Sequence, residues 1–259
     1  MKRGLTDEEL LAELKKRFEQ NKDFLEQERK LTAELNAVNE KLLASEHLKS
    51  NFLSNIRNEI NNPIASILEL ARNISEGKLD DSSMIEFAGL IYLEAFDLDF
   101  QLRNIFLSAE IEAGESPLSV VSVNINSLVD NILSAFKKRM DRKGIALVWD
   151  NSITEGKIFK TDSEKLHLIV SNLVANAIQF NNQGGKVEVC SQFKNDELMI
   201  CVRDTGIGIS EENQAKIYDR FHQIEEGSTK TYGGHGLGLS ITKALLEIIE
   251  GRIELESEV

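Results

Sequence analysis

Three short segments in the second half of the chain have residue types that could bind phosphate groups and a divalent cation. The first runs from Asn172 to Phe180 and contains two asparagines four residues apart. On a helix this spacing places Asn172 and Asn176 on one face. Neutral amides aimed in one direction suit Mg²⁺ and its phosphate oxygens, because Mg²⁺ keeps several waters and takes few protein ligands. Exposed asparagines are common on helices, so this segment needs support from the other two.

The second segment follows an apolar strand and runs from Asp204 to Gly208, with glycine at Gly206 and Gly208. A buried strand that ends in Asp204 would deliver a carboxylate able to accept a hydrogen bond from an amino group such as that of adenine. The glycines would let a ligand approach the backbone closely.

The third segment, Gly233–Leu239, is rich in glycine and opens a helix predicted to begin near Leu237. Glycine-rich backbone before a helix exposes amide donors at the positive end of the helix dipole, which suits phosphate. The segment lacks the lysine of a Walker loop and the preceding strand of a Rossmann fingerprint. Each segment alone could be an ordinary loop, so their order and spacing carry the interpretation.

Together the three segments resemble the N, G1 and G2 boxes of the ATPase superfamily that includes histidine kinases, gyrase, heat-shock 90 chaperones and MutL mismatch-repair proteins. Tyr218–Phe221 resembles the F box of histidine kinases, and Phe52–Pro63 resembles their H box at nearly every position. The resemblance extends from about Leu48 to the C-terminus. It implies the cytoplasmic core of a two-component sensor histidine kinase, a protein-histidine kinase that uses ATP and Mg²⁺.

The resemblance also implies roles for individual residues. ATP would lie between the helix that carries Asn176 and a lid between Gly206 and Gly238. Asn176 would hold Mg²⁺, Asp204 would bind adenine, and Phe180 would pack against the base. Backbone amides around the glycines of the third segment would hold the phosphates. The other positions assigned to nucleotide binding are Asn172, Gln179, Gly206, Gly208, Phe221, Lys230, Gly234, His235, Gly236, Leu237 and Gly238.

The chain departs from the family at the phosphoryl acceptor, where Asn58 stands in place of histidine. The amide nitrogen has its lone pair delocalised into the carbonyl and cannot act as an imidazole does. Glu59, the matching polarising residue, therefore has no ring to act on, and we expect no autophosphorylation of the hairpin. His47 is followed by leucine rather than an acid, which makes it a poor substitute.

A second departure is Gln179, where many family members have a cation near the phosphates; Lys230 is a candidate replacement. Three functions remain open: an ATP-binding kinase core without its acceptor, a non-enzymatic dimeric signalling module that responds to ATP, and a receiver phosphatase. In this family the residue at Asn62 orients a water that hydrolyses the phosphorylated receiver. Asn62 could equally support a kink at Pro63. A chaperone-type or topoisomerase-type ATPase has no place for the H-box hairpin.

The elements that must position these residues fall into three segments. Residues 1–47 lack proline and have apolar residues at alternating spacings of three and four, which predicts a signalling coiled coil. Its two sets of apolar residues are out of phase near Leu25, which marks either a signalling joint or a tolerated irregularity. Residues 48–115 predict two helices around a turn at 75–82, with the second helix at 83–112. We expect this hairpin to dimerise into a four-helix bundle.

Residues 116–259 predict the ATP-binding domain, which makes the whole chain an α+β protein. Helices are predicted at 126–142, 163–181 and 237–250, and strands at 118–123, 145–150, Lys186–Gln192, Leu198–Asp204 and Arg252–Glu256. This pattern indicates a two-layer α/β sandwich, with helices on one face of a mostly antiparallel sheet. The family usually has one more strand after the last of these, which we expect to be missing before Val259.

Composition limits the partners. The 259 residues carry a formal charge of −13, which argues against nucleic acid as a partner. No apolar run approaches the ~20 residues of a membrane helix, and the N-terminus does not resemble a signal peptide. Cys190 and Cys201 are interpreted as a reduced pair on neighbouring strands. We therefore expect a cytoplasmic homodimer, free or within a membrane-anchored receptor. Its expected partners are an upstream sensor domain and the receiver domain of a response regulator, separate or fused.

Overall fold

The computed structural model describes residues 7–77, 79–151, 157–194, 197–220 and 236–259. The chain divides into two compact units, Met1–Ser54 and Asn55–Val259. In the described ranges, no helix combines the length and the apolar character needed to cross a membrane.

The described residues of the N-terminal unit belong to the first part of one long helix. Helix α1 spans Asp7–Ser75, so the predicted helical continuity from the coiled-coil segment into the H box is confirmed. Large apolar side chains of this unit are exposed in the single chain, with Phe18 71%, Leu31 67% and Leu35 68% accessible. A continuous exposed stripe of this kind is typical of a coiled-coil seam. The coiled coil itself stays a prediction.

The second long helix has well-defined ends. Helix α2 spans Asp81–Ala113 and begins where the Asp80 carboxylate accepts a hydrogen bond from the Ser83 N–H at 3.0 Å. It ends at Gly114, whose φ of 70° is left-handed and whose N–H donates to the carbonyls of Glu110 and Ile111. These bounds lie within two residues of the predicted helix. Pro63 lies inside α1, and the kink expected there stays a prediction.

The remaining elements alternate between strands and helices. In order they are β1 (Val120–Asn124), α3 (Ile125–Arg142), β2 (Ala146–Asn151), β3 (Ile158–Asp162), α4 (Ser163–Gln179), β4 (Lys186–Lys194), β5 (Glu197–Asp204), α5 (Glu211–Gln214) and α6 (Gly238–Ile248). Strand β1 pairs antiparallel with β3, while β4 lies between β2, to which it is parallel, and β5, to which it is antiparallel. The α+β class is therefore confirmed, with the strands in two sheets rather than one.

Helices α3 and α4 pack on β4 to form the core of this sandwich. Val129, Phe136, Val174 and Val187 are at most 2% exposed. Along β4 buried residues alternate with partly exposed ones, because successive side chains of a strand point to opposite faces. Each fully buried side chain of this size contributes about 1.5–3 kcal/mol to folding, so this core fixes α4 against the sheet.

Helix α2 packs on this core through aromatic rings. The rings of Phe96 and Phe100 meet the Phe136 ring edge-on, at centroid distances of 5.3 and 5.7 Å. Beside them Arg139 pairs with Asp97 at 3.2 Å. Burial raises the pKa of the Asp97 carboxyl, while the nearby Arg139 opposes that rise. Edge-to-face aromatic contacts and one partly buried ion pair therefore hold α2 against α3.

Two strand predictions differ from the structure. Strand β3 was not predicted, since its five residues give no clear apolar alternation. The predicted strand at Arg252–Glu256 is wrong, because residues 251–259 form no regular element. Glu250 turns the chain with a φ of 58°. The segment then contacts the sheet region through side chains: Arg252 pairs with Glu197, and the Ser257 hydroxyl accepts from the Ile209 N–H.

Candidate functional site

A cavity of about 1750 Å³ brings the three sequence segments together. The predicted site residues that line it are Asn172, Asn176, Gln179, Phe180, Asp204, Gly206, Gly208, Gly236, Leu237 and Gly238. The cavity exceeds the ~300–1,000 Å³ of a typical small-molecule pocket, because it also extends along β5 toward residues 249–258.

Helix α4 holds the two asparagines one turn apart at the start of α6. A Cβ added to Gly238 would lie 3.7 Å from Asn172 Oδ1 and 3.8 Å from Asn176 Nδ2. Asn172 is 2% exposed, and its Nδ2 has no hydrogen-bond partner among the described residues. An unpaired buried amide costs about 1–3 kcal/mol, so this position favours an acceptor that completes it.

The start of α6 offers backbone donors to the same part of the cavity. Its N-cap position is Leu237, which makes no side-chain cap hydrogen bond. The first N–H groups of a helix lack intrahelical partners and lie at the positive end of its dipole. The hydroxyls of Ser240 and Thr242 donate to the carbonyls of Leu237 and Gly238 and so do not cap these N–H groups. Within the described ranges no side chain caps this N-terminus, and such a helix start beside two amides suits an anion.

The loop after β5 is packed tightly against the end of α4. Asp204 Oδ1 accepts from the Gly206 N–H at 2.9 Å, and the Ile207 N–H donates to the Phe180 carbonyl at 3.2 Å. A Cβ on Gly206 would overlap that carbonyl. Gly208 has a φ of 67°, and a Cβ there would overlap the Glu258 carbonyl. The close neighbours of both glycines include the chain's own backbone, and the close approach of a ligand to them stays a prediction.

A polar network behind this loop, in which Asn181 is the buried member, was missed by the sequence analysis. We call it the 181–205 network, and its members are Asn181, Asn182, Lys186 and Thr205. Asn181 is 1% exposed; its Oδ1 accepts from the Asn182 N–H at 3.0 Å and from Thr205 Oγ1 at 3.2 Å. Its Nδ2 donates to the Lys186 carbonyl at 2.9 Å. The asparagines and glycines at 181–185 are residues typical of a turn, but no local pattern indicates that the turn contacts Thr205 after β5.

Lys143 supports the end of α4 from the other side and was also missed. Its Nζ donates to the carbonyls of Ile178 and Gln179 at 2.9 and 2.8 Å. These carbonyls belong to the last turn of α4, where no intrahelical donor reaches them. Burial, and then the nearby Arg139, lowers the pKa of the Lys143 ammonium. The lysine thus fixes the helix end that carries Gln179.

The residues of the predicted acceptor segment lie apart from the residues that line the cavity. Asn58 and Asn62 are exposed on α1, and neither is among the described residues lining the cavity. The side chain of Glu59 falls outside the described part of the chain, as do Phe221, Lys230, Gly234 and His235. The structure thus brings together the amides, the carboxylate and the start of α6.

Comparison with known proteins gives a family for the C-terminal part of the chain. Residues 161–259 match the family described as histidine kinase-, DNA gyrase B-, and HSP90-like ATPase. The chain is 32% identical to "Histidine protein kinase 1" of Candida albicans over 214 residues, 81% of this chain and 9% of that protein. It is 29% identical to "Autoinducer 2 sensor kinase/phosphatase LuxQ" of Vibrio cholerae over 217 residues, 83% of this chain and 25% of that protein. The chain thus spans a quarter or less of the length of these relatives.

One solved structure shares the fold over most of the chain. Full-length ShkA, crystallised in complex with AMPPNP, has a TM-score of 0.52 and 24% sequence identity. The match covers 79% of this chain and 41% of that protein.

Proposed function

Because the chain contains the core of a sensor histidine kinase, we propose that its cavity binds ATP with Mg²⁺ for two-component signalling. The observation that carries this proposal is the uncapped start of α6, which lies beside Asn172 and Asn176. Backbone donors, a helix dipole and an orphaned amide donor converge there, which is the chemistry that a polyphosphate needs.

Different residues would bind the base and the phosphates of the nucleotide, at two ends of the cavity. With Oδ1 bonded to the Gly206 N–H, the second oxygen of Asp204 can accept from the amino group of adenine, and Phe180 flanks the base. At the other end the amides of Gly236, Leu237 and Gly238 hold phosphate oxygens.

The amide pair of α4 fits a hydrated Mg²⁺, which takes few protein ligands. Asn176 would contribute its amide oxygen, and the Asn172 Nδ2 would donate to a phosphate. Mg²⁺, when bound, neutralises phosphate charge. Gln179 contributes no charge of its own, so Lys230 is proposed as the cation of this site, with Phe221, Gly234 and His235 beside it.

The acceptor is the part of the site that this chain lacks. Phosphoryl transfer depends mainly on positioning and charge neutralisation, which the cavity supplies, but it still needs a nucleophile. The amide of Asn58 is not one, and Glu59 has no imidazole to polarise. We therefore propose that ATP binds and that the chain does not phosphorylate its own hairpin.

The proposed partners follow from the exposed helices. Leu68 on α1 and Phe106 on α2 are 64% and 62% exposed in the single chain, which favours a homodimer with the hairpins in a four-helix bundle. We keep the boundaries 1–47, 48–115 and 116–259 for the coiled coil, the hairpin and the ATP-binding domain. The dimer would receive its signal from a sensor domain and act on a receiver domain.

Two related functions stay open beside the kinase core. Asn62 is exposed one turn beyond Asn58, where its amide could orient a water toward a phosphorylated receiver. A relative bears the name sensor kinase/phosphatase, which supports considering this activity. ATP binding without phosphotransfer, acting through bundle shape alone, is the other alternative.

The experiment compares the chain with its Asn58→His and Asn61→His variants. A fluorescent ATP analogue is titrated with Mg²⁺, and each protein is then incubated with γ-labelled ATP and assayed for acid-labile phosphoprotein. We expect all three to bind and only Asn58→His to take up label, with Asn61→His as the control for a histidine elsewhere on the same helix.

The other results separate the alternatives. Binding without label on any protein supports the signalling or phosphatase functions, which loss of label from a phosphorylated receiver distinguishes. Absence of nucleotide binding by the wild-type chain contradicts the proposed site.

A further inference from the structure

We propose that Asn181 is a positioning residue that sets base recognition, because it fixes the loop that carries Asp204 through the hydroxyl of Thr205. This inference rests on the proposed nucleotide site. It concerns a residue one position beyond Phe180, outside the three segments that the sequence analysis singled out.

The amide of Asn181 is buried, and both its oxygen and its nitrogen are hydrogen-bonded. At 1% exposure it accepts two hydrogen bonds and donates one within the 181–205 network. Replacing this amide removes the hydrogen bonds that it makes to the Asn182 N–H, the Lys186 carbonyl and the Thr205 hydroxyl. Among these partners, Thr205 is the one whose neighbours in the chain, Asp204 and Gly206, line the cavity.

The amide of Asn181 occupies space that a side chain at Gly185 would fill. A Cβ at Gly185 would overlap Asn181 Oδ1 and would approach Thr205 Oγ1 to 2.9 Å. The absence of a side chain at this position is therefore what lets the amide and the hydroxyl meet. The turn 181–185 and the end of β5 fit each other through this contact.

Thr205 is held on all of its polar groups by the same turn. Its N–H donates to the Lys186 carbonyl at 3.2 Å, and its hydroxyl accepts from the Lys186 N–H at 2.9 Å. Its carbonyl accepts from Asn182 Nδ2 at 3.2 Å, and its hydroxyl donates to Asn181 Oδ1. Hydrogen bonds at its N–H, its carbonyl and its hydroxyl together fix the backbone orientation of Thr205.

Asp204 and Gly206 flank Thr205, so the network fixes the carboxylate as well. The hydrogen bond from the Gly206 N–H to Asp204 Oδ1, at 2.9 Å, forms across Thr205. It leaves the other oxygen for a donor in the cavity. The groups at the phosphate end belong to α4 and to the start of α6, which the network does not include. Loss of the network should therefore weaken recognition of the base and spare the phosphates.

The test compares two Mg²⁺-bound nucleotides that differ at the group read by Asp204. ADP carries an amino group there, and inosine diphosphate carries a carbonyl oxygen. Dissociation constants and binding stoichiometry are measured by calorimetry for the wild-type chain and for Asn181→Ala, Thr205→Val and Thr205→Ser. Asn131→Ala, an exposed asparagine on α3, is the matched control.

We expect Asn181→Ala and Thr205→Val to weaken ADP binding roughly tenfold and to change inosine diphosphate binding less than about twofold. Thr205→Ser keeps the hydroxyl and should retain the wild-type preference, as should Asn131→Ala. Stoichiometry near that of the wild type shows that the affinities belong to folded protein. This selective loss is a readout that a purely structural role would not give.

Two results overturn the inference while the nucleotide site stands. Equal weakening of both nucleotides in Asn181→Ala and Thr205→Val indicates general support of the fold, and unchanged ADP affinity shows that the network is not needed. If Asn181→Ala does not fold, Thr205→Val alone decides, because it removes the same contact from the other side. A wild-type chain that binds neither nucleotide contradicts the proposed function instead.

Discussion

The sandwich and the two long helices use apolar side chains in opposite ways. In the sandwich Phe136 and Val174 are 2% and 0% exposed, whereas Leu68 on α1 and Phe106 on α2 are 64% and 62% exposed. The buried residues of α2 are both polar, Asn104 and Ser108. The sandwich therefore completes its core within one chain, and the helices carry apolar surface that another surface must cover. Stability belongs mainly to the first region and assembly to the second.

The largest expected effect tests where the stability lies. Phe136→Ala should lower the free energy of unfolding of the sandwich by about 3–5 kcal/mol, because it leaves a cavity under Phe96 and Phe100. Phe106→Ala should change it by less than about 0.5 kcal/mol in dilute protein, since its ring is exposed. Urea unfolding of both variants measures the difference. Equal losses would show that the exposed face of α2, which carries Phe106, contributes to stability as much as the buried core does.

The next effect compares two ion pairs, one in each region. Asp162 caps α4, pairs with Lys165 at 3.0 Å and accepts from the Ser119 N–H at 2.9 Å, with 3% of its side chain exposed. Asp162→Ala should cost about 3 kcal/mol, because it leaves a buried ammonium without its partner.

The control for this comparison is Asp99→Ala on α2, which breaks a pair with Arg103 at 2.8 Å whose Asp99 side chain is 62% exposed. Its expected cost is below about 0.5 kcal/mol. Thermal unfolding at neutral pH measures both variants. A large loss in Asp99→Ala would contradict the division between the two regions.

The carboxylate of Asp162 should also make the stability of the sandwich depend on pH in the acid range. Burial acts to raise the pKa of Asp162, but hydrogen bonds from the Ser119 N–H and from Lys165 outweigh it and leave the pKa lowered. The unfolded chain then binds the proton more readily, so this contribution is present above the ordinary value near 3.8. It is lost as the pH falls further toward the folded pKa.

Thermal unfolding of the wild type and of Asp162→Asn checks this prediction. It is measured between about pH 6 and about pH 2.5, a range that includes the ordinary pKa of a carboxyl group. The difference in Tm between the two proteins should shrink only below about pH 4. A difference that is constant over the whole range would exclude Asp162 from acid unfolding.

The smallest effect lies where α2 meets α4. Burial, and then the nearby Arg103 of α2, lowers the pKa of His167. The unfolded chain therefore binds more protons, and stability should fall slightly as the pH drops through about 6.5. The ring is only partly buried, so the expected change is no more than about a few degrees in Tm. His167→Gln should remove it, and a pH dependence that persists in this variant would point to another group.

Local sequence patterns were sufficient to predict an element or a site where the apolar periodicity spans several turns or where unusual residue types occur together. The helix periods of α2, α3 and α4 gave bounds within two residues, and the order of the amide, carboxylate and glycine segments indicated a cavity that they line. Strand β3 was missed because five residues carry little periodicity. The strand at Arg252–Glu256 was wrong because alternation gives a strand only where a neighbouring backbone supplies hydrogen bonds. Here Arg252 and Ser257 make side-chain contacts to Glu197 and Ile209 instead.

The amino-acid sequence by itself determined the family resemblance, the three segments that line part of the cavity and the expectation that Asn58 accepts no phosphoryl group, since each depends on residue types in order along the chain. Only the tertiary structure decided that Lys143 supports the end of α4, that the Phe180 carbonyl lies against Gly206, and that Asn181 meets Thr205. These contacts join residues 24 to 36 positions apart, and neither partner carries a local signal for the other. Hydrogen bonds between distant residues form where the packing of helices on strands brings the groups together, and that packing is a property of the whole folded chain.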